Sequence, residues 1–111
     1  MAHTDKIKIT RGSGNVFQDL SISDADEHEL KARVVVALQR LIEVRNLSQV
    51  EASRRIGIAQ PDLSKILRGN FRGFSLERLL GALRALGSDV EIKVKARMNN
   101  DKQGVLRLVV A

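Results

Sequence analysis

Residues 48–69 read SQVEASRRIGIAQPDLSKILRG. The stretch holds two short apolar-periodic segments, Gln49 to Ile56 and Gln60 to Arg68, split by a tight break at Gly57. Val50, Ser53 and Ile56 are expected on one side of the first, and Leu63, Ile66 and Leu67 on one side of the second. Ser48 can cap the first segment, with Glu51 at the capping-box distance. Gly57 supplies a positive-φ turn at no steric cost. Pro61 falls in the first turn of the second segment, where its missing N–H costs nothing, and Gly69 stops that segment. Two short helices joined by a glycine-containing turn form a helix-turn-helix unit.

Upstream, Asp24 is the expected N-cap of a longer helix, with Glu27 three residues on as a capping-box variant. Asp26, Glu27 and Glu29 lie where the positive helix end favours carboxylates, so a dipole complement explains them better than a catalytic acid cluster. Leu30, Val34, Leu38, Leu41 and Ile42 then form one helical face. The helix is expected to end near Arg45-Asn46, with Asn46 in the left-handed cap. Downstream of the linker Asn70–Phe74, Ser75 caps a fourth helix whose Leu76, Leu79, Leu80, Leu83 and Leu86 face the core, and Gly87 ends it. From Asp89 the period changes to two: Val90, Ile92, Val94 and Ala96 alternate with charged residues. With a loop at 99–104 and a second strand over Val105 to Val110, a C-terminal hairpin is expected. An isolated hairpin needs a partner surface. It could lie on its own helices or pair its edge with a second subunit, and the aliphatic edge favours the subunit. Before the long helix, Ile7 and Ile9 could make an edge strand, Gly12 and Gly14 punctuate a turn, and Phe17 and Leu20 could dock on the body. The expected organisation is an N-terminal arm over 1–23, a helix-turn-helix domain over 24–88, and a C-terminal β-hairpin over 89–111 that serves dimerisation. The fold class is mainly α.

Length and composition set the outer limits. A chain of 111 residues makes one domain, and 43% hydrophobic residues suffice for a modest core. Without Trp, Tyr or Cys, that core is aliphatic, and disulfides and thiolate metal sites are excluded. MAHTDKIKIT lacks the apolar core of a signal peptide, and the longest aliphatic run, Val34 to Leu38, is far too short to span a bilayer. A soluble, cytoplasmic protein with no membrane role is expected. The net charge of +6 is uneven: residues 1–30 carry three Lys/Arg against six Asp/Glu, and residues 31–111 carry sixteen against seven. Such a body suits a polyanion. An enzyme is not expected: His3 and His28 lack ligand or triad spacing, Gly12 and Gly14 lack the following GK[ST] of a phosphate loop, and no nucleophile elbow is present. No cofactor or metal is implied.

Leu47-Ser48-Gln49 through Ile56-Gly57-Ile58, with Gln60 and Leu63-Ser64, resembles the Xre/Cro–phage-repressor helix-turn-helix family. That family's usual run is close to L-[ST]-Q-x-x-x-A-x-x-[LI]-G-[VI]-x-Q-x-x-[VIL]-S-x-[IL]-x-x-G. Ser53 departs from it, standing where a small Ala normally packs, but it can bond back to a carbonyl. Ala59 departs where Ser or Thr often caps the recognition helix. RGSGNVFQDL and GFSLERLLGALRALGSDVEIKV are further similar to small HigA-type antitoxins, partners of RelE-like ribosome-dependent RNase toxins, over roughly residues 9 to 95. The resemblance implies a phage-repressor-like helical bundle and a homodimer that binds double-stranded DNA at a palindromic operator, represses its own promoter and binds the toxin. Some members are stand-alone regulators, which is the alternative.

The same resemblance assigns roles. Gln49 would grip a phosphate and buttress Gln60. Gln60, at the start of the recognition helix, can pair bidentately with adenine. Lys65 could reach guanine or a phosphate, and Pro61 only an apolar group such as a thymine methyl. Asp62 could accept from cytosine N4 or merely complement the helix end. Ser64 would contact a phosphate or a base. Arg54, Arg55, Arg68, Asn70 and Arg72 would supply the sequence-blind, salt-dependent attraction, with Arg68, Asn70 and Arg72 the strongest of these.

Overall fold

The computed structural model describes residues 5–7 (backbone only), 23–98 and 102–110. The order is β1 (Asp5–Ile7), α1 (Asp24–Val44), α2 (Gln49–Ile56), α3 (Gln60–Leu67), α4 (Leu76–Ala85) and β2 (Ile92–Val94). The expected contacts of Phe17 and Leu20, the turn at Gly12 and Gly14, and Ile9 lie outside the described residues.

Helix ends follow local chemistry. Ser23, Ser48 and Ser75 sit in extended backbone and accept, through Oγ, the N–H of Asp26, Glu51 and Arg78 at 3.2, 3.1 and 3.1 Å. The cap of α1 is therefore Ser23, not Asp24. The serine hydroxyl satisfies the third helical N–H, and Asp24 moves into the first turn with Asp26 and Glu27, beside the positive helix end. Asn46, Gly69 and Gly87 take positive φ just past α1, α3 and α4. Each of these ends closes the same way: Leu47 N–H donates to Ile42 C=O, Asn70 to Lys65 and Ser88 to Leu83, at 2.9–3.0 Å.

The core lies between α1 and α4, with α2 and α3 packed across them. Val34, Leu38, Leu63 and Leu79 are its most deeply buried large side chains. Burying one Leu stabilises the fold by roughly 1.5–3 kcal/mol. The apolar faces read from the sequence recur, with Leu41, Leu67 and Leu80 at their half-buried margins. Val50 departs: it is 53% exposed, and Ala52 is fully buried beside Ser53. The inward face of α2 is thus Ala52, Ser53 and Ile56, one turn of α-helix. Ser53 Oγ donates to the Val50 carbonyl at 2.9 Å, so its hydroxyl is satisfied where an alanine would otherwise pack.

The terminal strands correct the expected hairpin. β2 is formed, but it pairs antiparallel with β1, in register Asp5↔Val94, Lys6↔Lys93 and Ile7↔Ile92. Residues 103–110 contain no strand and instead run beside α1, where Leu108 is half-buried against the core. The connection over 99–104 is longer than the two-residue turns that impose hairpin register, and β1 already occupies β2's edge. Val90 and Ile92 are half-buried as alternation requires, but Val94 and Ala96 are exposed.

Candidate nucleic-acid interface

α3 is a short helix with two unlike faces. Leu63 and Ile66 are buried, while Gln60, Pro61, Lys65 and Arg68 are exposed and Ser64 is half-buried. At 100° per residue, positions 60, 61, 64, 65 and 68 fall within one 140° arc, opposite the core. Asp62 lies outside that arc and is half-buried. It sits in the first turn, which suits the dipole reading better than the base reading.

α2 holds this face in place. It packs on α3 through the glycine turn, where Gly57 has φ 84° and the N–H groups of Gly57 and Ile58 both donate to the Ser53 carbonyl, at 2.8 and 3.1 Å. At the outer end of the pair, Gln60 Nε2 donates to Gln49 Oε1 at 3.2 Å. This bond leaves Gln60 with one N–H and its Oε1, the donor and acceptor that adenine N7 and N6 require. Gln49 keeps both amide N–H groups for a phosphate. The buttress that the resemblance implies is therefore present.

The other positions differ in how firmly they are held. α3 has no side-chain cap at Ala59, whose carbonyl alone receives the Asp62 and Leu63 N–H groups. Arg68 Nε donates to the Ser64 carbonyl at 3.3 Å, which holds the guanidinium base against α3 and leaves its terminal nitrogens outward. The Asn70 backbone N–H is consumed by the helix cap, so only its side chain is available to a ligand. Arg72 is exposed on the following loop. Arg54 and Arg55 occupy the last turn of α2 and complement its negative end, apart from any DNA role.

Two residues to which sequence reasoning assigned no DNA-binding role lie beneath this surface. Lys31 of α1 is buried, and its Nζ donates to the Arg72 carbonyl at 3.3 Å. The His28 ring stacks on Phe71, with centroids 4.9 Å apart and planes 20° from parallel. Both contacts join residues more than forty positions apart, so no local spacing marks them.

A short helix seated on its partner with a polar outward face, a basic flank and a buttressed amide at its start defines a helix-turn-helix DNA-binding domain. The family described as "Helix-turn-helix domain" matches residues 16–95. A solved structure described as "Putative XRE Family Transcriptional Regulator" is 38% identical with a TM-score of 0.66, covering 80% of this chain and 98% of its own. No curated protein matches the sequence. The chain belongs to the XRE-type helix-turn-helix family of DNA-binding transcriptional regulators. No helix among the described residues is long and apolar enough to cross a membrane.

Proposed function

We propose that this protein is a cytoplasmic, sequence-specific repressor that binds a palindromic operator as a homodimer, and that it is the antitoxin and autorepressor of a type II toxin–antitoxin pair. The observation that carries sequence-specific reading is the Gln49–Gln60 amide bond, which fixes a donor–acceptor pair at the start of α3. Each bidentate base contact contributes about 1–3 kcal/mol of discrimination. One α3 offers few such readers, so two copies on the two half-sites of a palindrome are required for useful specificity. The antitoxin role is supported by the resemblance over residues 9 to 95 and by the acidic balance of residues 1–30, suited to a basic RNase toxin of the RelE-like kind. No catalytic step is assigned to the chain.

An electrophoretic shift on the region upstream of its own gene tests the first part. The wild type is expected to retard that duplex, with Gln60→Ala and Lys65→Ala each weakening the complex. No retardation at low salt, or variants that match the wild type, would sink the reading. Co-expression with the product of an adjacent gene for a small basic toxin tests the second part. Growth should be rescued; a chain that retards the operator yet leaves toxicity intact is a stand-alone regulator.

A further inference from the structure

Lysine is seldom buried without a partner, because desolvating an ammonium is costly. Lys31 is nevertheless 10% exposed over its side chain, deep on the inner side of α1. Its carboxylate neighbour, Glu27, is 3.9 Å away, too far for a strong hydrogen bond. The nearer partner is the Arg72 carbonyl at 3.3 Å, 41 residues distant in sequence. An apolar side chain would fill this space at lower cost, so the ammonium is explained by what it holds.

It holds one point of a loop that is tied at several others. The loop leaves α3 through the Asn70 N–H bond to the Lys65 carbonyl. Phe71, 6% exposed, is then clamped by the His28 ring. His28 Nδ1 is buried with no hydrogen-bond partner among the described residues, so ring stacking secures that clamp. The Phe74 N–H closes a turn on the Phe71 carbonyl at 3.0 Å, and the Arg78 guanidinium lies 5.2 Å from the Phe74 ring centre. Between these ties Arg72 keeps its side chain exposed while its own carbonyl is bonded from beneath.

We infer that Lys31, assisted by the His28–Phe71 stack, is a positioning residue for DNA-backbone contact by Arg72: its buried ammonium anchors the Arg72 carbonyl so that the guanidinium meets a phosphate without first ordering the loop. Arg72 alone touches DNA; Lys31 acts through it. The inference rests on the reading of this face as a DNA interface. Its mechanistic content is preorganisation: a loop already fixed loses no backbone freedom when DNA arrives.

A double-variant cycle with the full-length chain tests it, using fluorescence anisotropy on a random-sequence duplex over a range of salt concentrations. Loss of one phosphate contact removes about 0.9 from the slope of log K against log salt, which is roughly eightfold in affinity per bound subunit at 0.1 M salt. Arg72→Ala is expected to show that loss. Lys31→Met, which keeps the apolar stem without the donor, is expected to show it too, and the double variant to bind no worse than either single one. Lys31→Arg, which keeps charge and donor, should restore wild-type binding and slope. If Lys31→Met unfolds the chain, Lys31→Leu, which likewise has no donor, is judged by the same criterion. Losses that multiply in the double variant, or a Lys31→Met chain that binds like the wild type, overturn the inference while the DNA reading stands. A wild-type chain that binds no duplex overturns both.

Discussion

At the scale of single residues, Ala59 is where the reading helix is least secured. The N-cap positions of α1, α2 and α4 are all serine, with φ between −63° and −75° and ψ between 152° and 163°. Ala59 has nearly the same backbone, φ −66° and ψ 141°, but no side-chain acceptor. Ala59→Ser should therefore gain a bond from the Asp62 N–H without rearrangement. The expected stabilisation is about 1 kcal/mol, or several degrees in Tm for a domain of this size, measured by thermal unfolding; an unchanged Tm would show that the hydroxyl does not reach. The candidate site was legible to a similar depth. Gln49, Gln60 and Arg68 are assigned by the resemblance to the helix-turn-helix family, and helical spacing adds that positions 60, 61, 64, 65 and 68 share one arc. Lys31 and His28 were not legible, because each is defined by a partner on a loop more than forty residues away. In sequence they are a lysine and a histidine near the acidic start of α1, with no spacing that marks them.

At the scale of elements, the helices were legible because their signals are local: apolar spacing, a capping residue at or beside each of three starts, and a left-handed residue after each end. Gly57 is the most exacting of these. A Cβ added there meets nothing within 4 Å, so its cost is the backbone alone at φ +84°. Gly57→Ala is expected to destabilise the fold by about 1–2 kcal/mol, seen as a lower urea midpoint with an unchanged m-value, since no packing is disturbed. A larger loss, or a changed m-value, would mean that the turn also sets the packing of α2 on α3. The one-residue shift from Asp24 to Ser23 is the ordinary uncertainty between adjacent capping residues. The misplaced partner of β2 has a different cause. Alternation announces a strand but says nothing of what pairs with it, and Lys6-Ile7 is as eligible as Val105–Val110. The choice is made by tertiary contact: Leu108 finds burial on α1, and the tail gives up its strand.

For the whole molecule, charge and shape have to be weighed together. The acidic balance of residues 1–30 and the basic excess of the remainder leave a molecule of net charge +6, drawn to DNA by long-range attraction that salt screens. The proposed interface keeps this attraction apart from sequence reading. Arg68 and Arg72 are exposed beyond and beside the C-terminal end of α3, whereas the amide pair at Gln49 and Gln60 stands at its start. Phosphate contacts release counterions and base contacts do not, so the two groups should separate in a salt titration. In a dimer, replacing both arginines by alanine removes two phosphate contacts from each subunit. The slope of log K against log salt is then expected to become shallower by about 3.6, on operator and random duplex alike. Gln60→Ala should leave the slope unchanged and reduce operator affinity towards that of the random duplex, by about 1–3 kcal/mol per half-site. Anisotropy titrations on both duplexes check the two expectations together. If Gln60→Ala flattens the slope as the arginine variants do, α3 grips the backbone and specificity must lie elsewhere. If the arginine pair leaves the slope untouched, the basic flank is a solvated surface and the approach to DNA is carried by other charges of the body.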